Sequence, residues 1–415
     1  MSTHRLHIPD WKTVKLGEVT EIIKGGTPSR NVEKYFRGNI AWAIPSDITA
    51  LDSFLYINDT ETHITEEALS NSAARLLPAG TVLLTSRATI GETAIATVPM
   101  ATNQGFANFI CRETLSNVFL AYYLRYIKEK LNDLASGSTF KEVTKGTLLN
   151  IEIPHLPLSE QHAIAEALSD VDGLLNALEA LIAKKQAIKQ ATMQQLLTGR
   201  TRLPGFSGTW ETKRLGELGR FLKGRGIKRD DVSYEGLPCI RYGELYTRYK
   251  DYILKAGSRI PPSVAVTALP IETGDLLFAG SGETAEEIGR CAAYLGEEKA
   301  YAGGDIIVLT PSEQNSIYLG HLMNHPIVSE QKARMGQGDA VVHISVNNLA
   351  QVLIELPPIT EQHAIASILS DMDAEIAALE QRRDKTRSIK QGMMQQLLTG
   401  KVRLSESRIC TDDAD

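Results

Sequence analysis

Cysteine is scarce in this chain: four in 415 residues, Cys111, Cys239, Cys291 and Cys410. None forms a CxxC pair and none shares a spacing with a histidine. Neither a zinc site nor a disulfide framework is expected, and a reducing compartment fits. Long apolar runs are missing too. No stretch approaches a membrane span, and the opening MSTHRLHIPDW has no signal-peptide core, so the expected location is the cytoplasm. Catalytic signatures are thin. No GxxxxGK[ST] occurs, since Gly400-Lys401 lacks the upstream glycine and the following Ser or Thr. The DPPY or NPPY tetrapeptide of amino-methyltransferases is absent. Gly280-Ser281-Gly282 is a weak glycine signature, and GETAEE carries acids where a phosphate would need amides and bases. His162 and His363 recur in EQHAIA at a helix start with no acid or thiol set to complete a site. Packing or cap hydrogen bonding is expected of them. No catalytic residue, metal or bound cofactor is expected on this chain.

A strong basic excess is lacking as well. The formal net charge is −6, which argues against a nucleic-acid binder acting alone. The charge is uneven, however: Lys213, Arg214, Arg220, Lys223, Arg225, Lys228 and Arg229 crowd the stretch after residue 200. The ordinary reading of such a cluster is a solvated face. Hydrophobic content of 43% and charged content of 23% are those of a globular protein with room for two or three domains.

What is present is a repeat. LPLSEQHAIAEALSDVD begins at Leu156, and KKQAIKQATMQQLLTG ends at Gly199. Ser159 reads as an N-cap with Glu160 in the first turn, and Gly199 as a terminator. About 40 residues without proline would span about 60 Å as one helix. Ile164, Leu168, Val171, Leu175, Leu178 and Ile182 step by fours and threes, the period of a coiled-coil seam. The stretch recurs from Leu356, where Ile365, Leu369, Met372, Ile376 and Leu379 repeat the first five seam positions and Arg383 replaces the sixth. A period of about 200 residues exceeds any solenoid repeat and points to two copies of one module.

The globular parts repeat more weakly. Trp11…Leu16-Gly17-Glu18…Lys24-Gly25 matches Trp210…Leu215-Gly216-Glu217…Lys223-Gly224. Short buried strands are expected at Gly80–Leu84 and Gly274–Phe278, each leading into a Gly/Ser/Thr loop, with further strands near Asn108–Cys111 and Asp305–Leu309. Helical segments follow from Asn117 and from Ser316, the latter interrupted at Pro326. Polar loops (SGSTFKEVT, GQGDAVVHIS) and strand-like IEIPHLP or VLIELPP precede each long helix. Between the anchors, Thr27–Arg75 and Gly226–Leu269 show almost no correspondence, as two heads reading different targets would. Simple drift of duplicated modules gives the same picture.

Arg202-Leu203 is echoed by Arg403-Leu404 and by Arg5-Leu6, so the two termini are expected to lie near each other. The chain path then makes the helix pair antiparallel, with a head at each end and a pseudo-twofold axis between them. The expected class is α+β: two pseudo-symmetric mixed α/β domains joined by two long antiparallel coiled-coil helices. The divisions are residues 1–155, a helix over 156–200, residues 201–355, a helix over 356–404, and a polar tail, 405–415.

The remaining chemistry is that of contact. In the first half Lys24, Thr27, Ser29, Arg30, Ser86, Arg87, Thr89, Asn103 and Gln104 gather cations, hydroxyls and amides in loops. In the second, Lys223, Arg225, Lys228, Arg229, Arg241 and Ser281 do so. Arginine reads guanine edges and Asn or Gln reads adenine edges, while Lys and Ser/Thr suit phosphates. These are the candidate DNA contacts.

The chain resembles the specificity subunit of type I restriction–modification systems. The likeness is carried by GGTPSR with IAWAIPSDI, by SRATIGETAIA with NQGF, by the doubled LPxxEQHAIA…LSDxD and by the doubled MQQLLTG, and it runs from about Trp11 to Leu404. It implies that each globular part is a target recognition domain reading half of a split double-stranded DNA site. The helices would set the spacing and dock two modification subunits. S-adenosylmethionine would sit on those partners, and ATP and Mg on added restriction subunits. A coiled-coil adaptor without DNA specificity, or a stand-alone methyltransferase or nuclease, are the alternative readings.

Overall fold

A computed structural model describes residues 11–51, 54–136, 141–338 and 341–404. The Arg5-Leu6 echo, Cys410 and the 405–415 tail lie outside them, as do parts of both polar loops. The chain forms two compact units: residues up to Leu181 with those from Leu379 onward, and Ile182–Ala378. Each therefore combines a globular domain with a segment of both long helices.

The first unit is built on a five-stranded sheet. Thr20–Lys24, Phe106–Cys111, Val82–Thr85 and Thr93–Ala96 run antiparallel in that order, and Tyr56–Ile57 closes the edge in parallel. Val82–Thr85 is buried throughout, as its apolar run requires. A smaller sheet sets Ile40–Ala43 between His63–Ile64 and Ala101–Thr102. The helix Asn117–Tyr126 starts on Ser116, whose hydroxyl accepts from Phe119 N, and buries Phe119, Leu120, Tyr122 and Leu124. Lys12–Lys15 pairs with Glu152–His155 at the base of the long helix.

The second unit repeats this plan. Gly219–Lys223, Ile306–Pro311, Leu276–Ala279, Cys291–Tyr294 and Tyr252–Ile253 form the large sheet in the matching order. Leu237–Ile240 lies between Ser258–Ile260 and Ala300–Ala302 in the small one, which gains Leu269–Ile271. The stretches without sequence correspondence thus adopt one fold. Their strands are only two to four residues long, too short to carry a legible period. Pro326 does interrupt the Ser316–Asn324 helix, and it also opens the next, Pro326–Met335, capped by His325.

The long helices run Leu158–Leu196 and Ile359–Leu397. Ser159 lies inside the first turn and is not its cap, because Gln161 N already bonds Pro157 O at 3.0 Å. The start is fastened instead by Gln161, whose amide accepts from Ser116 N and donates to Thr114 O and Leu156 O. Gln362 does the same work in the second unit. Gly199 and Gly400 end the helices at φ 66° and 70°, the left-handed conformation that suits glycine.

The doubled MQQLLTG gains a physical reason. Leu397 and Leu398 are buried in the core of the first unit with Ile164, Leu168 and Phe119, and Leu196 and Leu197 enter the second core with Ile365, Leu369 and Tyr318. The upper seam residues therefore pack into domain cores as well as along a helix. Leu175, Leu178, Ile182 and Ile376 are buried farther along, while Val171, Met372 and Leu379 are half-buried. Within each unit the helix segments are antiparallel. Asp172 meets Lys390 at 2.5 Å and Glu179 meets Arg387 at 2.7 Å in the first, and Lys189 meets Asp373 at 2.5 Å and Lys185 meets Glu375 at 2.6 Å in the second.

Two corner clusters close the frame. Arg403 holds the buried Glu160 through two nitrogens at 2.6 and 2.7 Å, and its guanidinium lies over the Trp11 ring. Arg202 holds Glu361 and lies over Trp210 in the same way. In the first unit this brings the two ends of the described chain together, as the echoed Arg-Leu pairs imply.

One buried cation makes no ion pair among the described residues. Lys332 is 1% exposed and donates to Gly289 O at 2.6 Å. Burial brings its ammonium down to about 8, with Cys291 opposing the shift and the charge of Arg290 adding to it. Since the unfolded chain keeps its proton up to about 10.5, stability rises with pH between these values. We expect Lys332→Met to raise stability near pH 7 by about 1–3 kcal/mol, with the gain shrinking above pH 8. Urea unfolding across pH 7–10 checks this; a variant less stable at every pH overturns it.

Candidate nucleic-acid interface

Matching backbone hydrogen bonds align the loops of the two domains residue by residue. Gly26 N bonds Thr102 O where Arg225 N bonds Ala302 O, and Asn103 N bonds Ala43 O where Gly303 N bonds Ile240 O. Ser86 N bonds Gly105 O where Gly280 N bonds Asp305 O, and Val143 N bonds Ser86 O where Ile344 N bonds Gly280 O. Lys24 and Lys223 end equivalent strands, opposite Ala107 and Ile307. The glycine after each lysine is a close-approach point. A Cβ on Gly25 would fall 1.9 Å from Asn103 O, and one on Gly224 2.0 Å from Gly303 O.

In the first domain the GGTPSR loop is anchored by the buried Trp42, whose indole donates to Gly26 O at 3.0 Å. Asp47 accepts from Ile44 N at 2.8 Å, so IAWAIPSDI forms a strand, a capped corner and a helix. Ser29 and Arg30 are exposed at the loop tip, and Thr27 donates to Gln104 across it. Asn103 is half-buried and holds Gly105 N at 2.8 Å, so its side-chain oxygen is engaged within the loop. Thr89 is exposed, with its carbonyl accepting from Thr85.

The candidate contacts Ser86 and Ser281 require correction. Ser86 is fully buried and its hydroxyl donates to Gly105 O at 3.1 Å. Ser281 is 4% exposed and sits 2.9 Å from His343 Nδ1. Both hydroxyls are engaged within the fold rather than presented on an exposed loop. Arg241 is half-buried beside the buried Glu244, 3.7 Å away, at the start of the helix Tyr242–Thr247. It stands where Ile44 stands in the first domain and is bound into the corner. Lys223, Arg225, Lys228 and Arg229 are exposed.

The structure adds groups that pattern reading missed. Glu142 lies between two of the three candidate cations of the first domain, pairing with Lys24 and, at 2.7 Å, with Arg87. Partial burial pushes its carboxyl up, but hydrogen bonds and charge from Lys24 and Arg87 outweigh this and hold it below the ordinary carboxylate range. The second domain has a cleft of about 460 Å³ at the equivalent place, lined by Lys223, Ser281, Gln337, His343 and Asn347. The shared signal was slight: E-V-T and H-I-S each precede a short helix whose N-cap is Thr144 or Ser345. Both lie in segments that read only as polar loops.

His162 and His363 are exposed at the helix starts, and His363 Nδ1 is 2.9 Å from the Asn315 amide. Among the described residues no group of three or more His, Cys, Asp or Glu could hold a metal ion. Burial pushes the thiols of Cys111, Cys239 and Cys291 up to about 12. No helix among the described residues is long and apolar enough to cross a membrane.

A domain that occurs twice, with one backbone frame and two different sets of loop side chains, defines a duplicated recognition module. The family model described as the type I restriction modification DNA specificity domain matches residues 9–190 and again 207–387, and the chain belongs to that family. The MjaIX specificity subunit of a type I restriction enzyme from Methanocaldococcus jannaschii is 32% identical over 256 residues, 57% of this chain and 58% of that one. The chain thus spans under two thirds of that relative. The MjaVIII specificity subunit of the same organism aligns over 97% of this chain and 95% of its own length at 21% identity. The fold matches a solved S subunit of a type I restriction–modification system from M. genitalium, with a TM-score of 0.60 over 96% of this chain and 98% of that one at 17% identity.

Proposed function

We propose that this chain is the DNA-recognition subunit of a type I restriction–modification enzyme and reads a bipartite sequence. Residues 1–155 and 201–355 each read one half-site, and the helices over 156–200 and 356–404 set the number of unread base pairs between them. Two modification subunits carry S-adenosylmethionine and methylate adenine, and restriction subunits carry ATP and Mg. The observation that carries this reading is the pair of loop clusters on one backbone frame, Lys24–Arg30 with Arg87 and Lys223–Arg229 with its cleft. In such clusters the cations and hydroxyls suit phosphates and base edges. A net charge of −6 is compatible with this, because partner subunits can share the clamping of the DNA.

The test is a genome-wide adenine-methylation map of cells with and without the gene, the modification subunit kept intact. Deletion is expected to erase methylation at one bipartite motif while the subunit remains expressed. Methylation that persists unchanged at such a motif, with the modification subunit as its only source, overturns the proposal.

A further inference from the structure

One structural position differs in kind between the two domains. It is the place where the loop after the central buried strand meets the segment before the last short helix. The bridge there pairs Arg87 with Glu142 in the first domain and Ser281 with His343 in the second. A second bridge flanks each, Ser136 with Glu142 and Gln337 with His343. The backbone is the same and the chemistry is exchanged. A carboxylate clamped to a guanidinium and an ammonium stands opposite an imidazole bonded to a hydroxyl.

The geometry points to this bridge as a base-reading position in both domains, with Glu142 and Ser281 as positioning residues and Arg87 and His343 as the readers. This rests on the recognition function proposed above and deepens it. A lone arginine on a loop samples many rotamers, and ordering it opposes any discrimination it provides. Here Glu142 holds one guanidinium nitrogen at 2.7 Å, while the Arg87 side chain keeps 42% of its exposure. Its other donors remain open to a paired acceptor, as O6 and N7 of guanine offer. The turn beneath it is strained: Ala88 has φ 59°, a left-handed conformation that a non-glycine residue rarely adopts.

In the second domain Ser281 is buried and its hydroxyl lies 2.9 Å from His343 Nδ1, while His343 is exposed at the cleft. A hydroxyl that donates to Nδ1 leaves the ring proton on Nε2. That single donor suits a purine N7 and cannot reproduce the two-point contact of Arg87. The two half-sites should therefore differ in which base this position selects and in how strictly.

The experiment maps methylation in cells carrying the full chain with its modification subunits. Arg87→Ala is expected to relax one base of one half-site by about 5- to 150-fold, the span of a lost bidentate contact. Glu142→Gln relaxes the same base while Glu142→Asp restores it, a rescue that a role in folding alone would not track. His343→Ala changes one base of the other half-site. A wild-type chain that directs methylation to no motif defeats the recognition reading and this inference with it. A wild-type motif that all four variants leave unchanged, or weaken evenly at every base, defeats this inference alone.

Discussion

Lys189→Met should cost the second unit about 3–5 kcal/mol, the range for breaking a buried ion pair from one side. Lys189 keeps only 11% of its side-chain exposure and lies 2.5 Å from Asp373 and 3.7 Å from Asp251. Asp251 accepts from His321 at 2.9 Å and from Asn324 at 2.8 Å, and His321 is fully buried. Removing the ammonium leaves two largely buried carboxylates about the His321 imidazole, with Arg290 4.0 Å from Asp251 as the remaining cation. In a body of roughly 200 residues this lowers the melting midpoint by about 10 °C. Burial pushes the Asp251 carboxyl up, but His321, Asn324 and the charge of Lys189 outweigh it and bring it to about 2. A depressed acid stabilises fully above its unfolded value near 3.8, and that contribution is lost as pH falls toward about 2. The variant should therefore unfold with a weaker acid dependence over pH 2–4 while being less stable at pH 7. Urea titrations at several pH values check both, and a wild-type midpoint at pH 7 would show that the lysine is dispensable.

Four residues inserted into both long helices, beside Ala180 and Gln381, should move the tolerated gap between half-sites and leave the half-sites themselves unchanged. The insertion adds about 6 Å of helix and about 40° beyond a full turn. At about 3.4 Å per base step that corresponds to roughly two base pairs. Methylation mapping of cells carrying the variant reads this directly. A gap identical to the wild-type one would remove the helices from the spacing role, and an altered half-site would implicate them in base selection.

The duplicated helices were legible because their period, their proline-free length and their glycine terminators are local signals. Their antiparallel course could be argued from chain path alone. The corner clusters were half legible. The recurrence of Arg202-Leu203 at Arg403-Leu404 marked the place, but its partners, Glu361 and Glu160, lie 159 and 243 residues away in sequence. The recognition loops were less legible. Ser86 and Ser281 looked available because hydroxyls near cations resemble phosphate contacts, yet the Gly105 carbonyl and the His343 imidazole occupy them. Glu142 and His343 were missed since an acid and an imidazole in polar loops carry no pattern until the fold sets them on one bridge. The common fold of Thr27–Arg75 and Gly226–Leu269 could not be read, because strands of two to four residues depend on tertiary pairing for their existence.

Each long helix carries one acid and one lysine, one member of each of the two pairs that join it to the other. Asp172 and Lys189 lie on the first, Asp373 and Lys390 on the second, and Tyr122 or His321 from the adjoining domain completes each set. A single half of this protein is therefore self-complementary. Two identical copies of one half could repeat the Asp172–Lys390 and Lys189–Asp373 pairings, as an isologous dimer does. The intact chain is in this sense a homodimer written as one polypeptide. Covalent linkage frees its two loop sets to diverge while the paired acids and lysines stay matched.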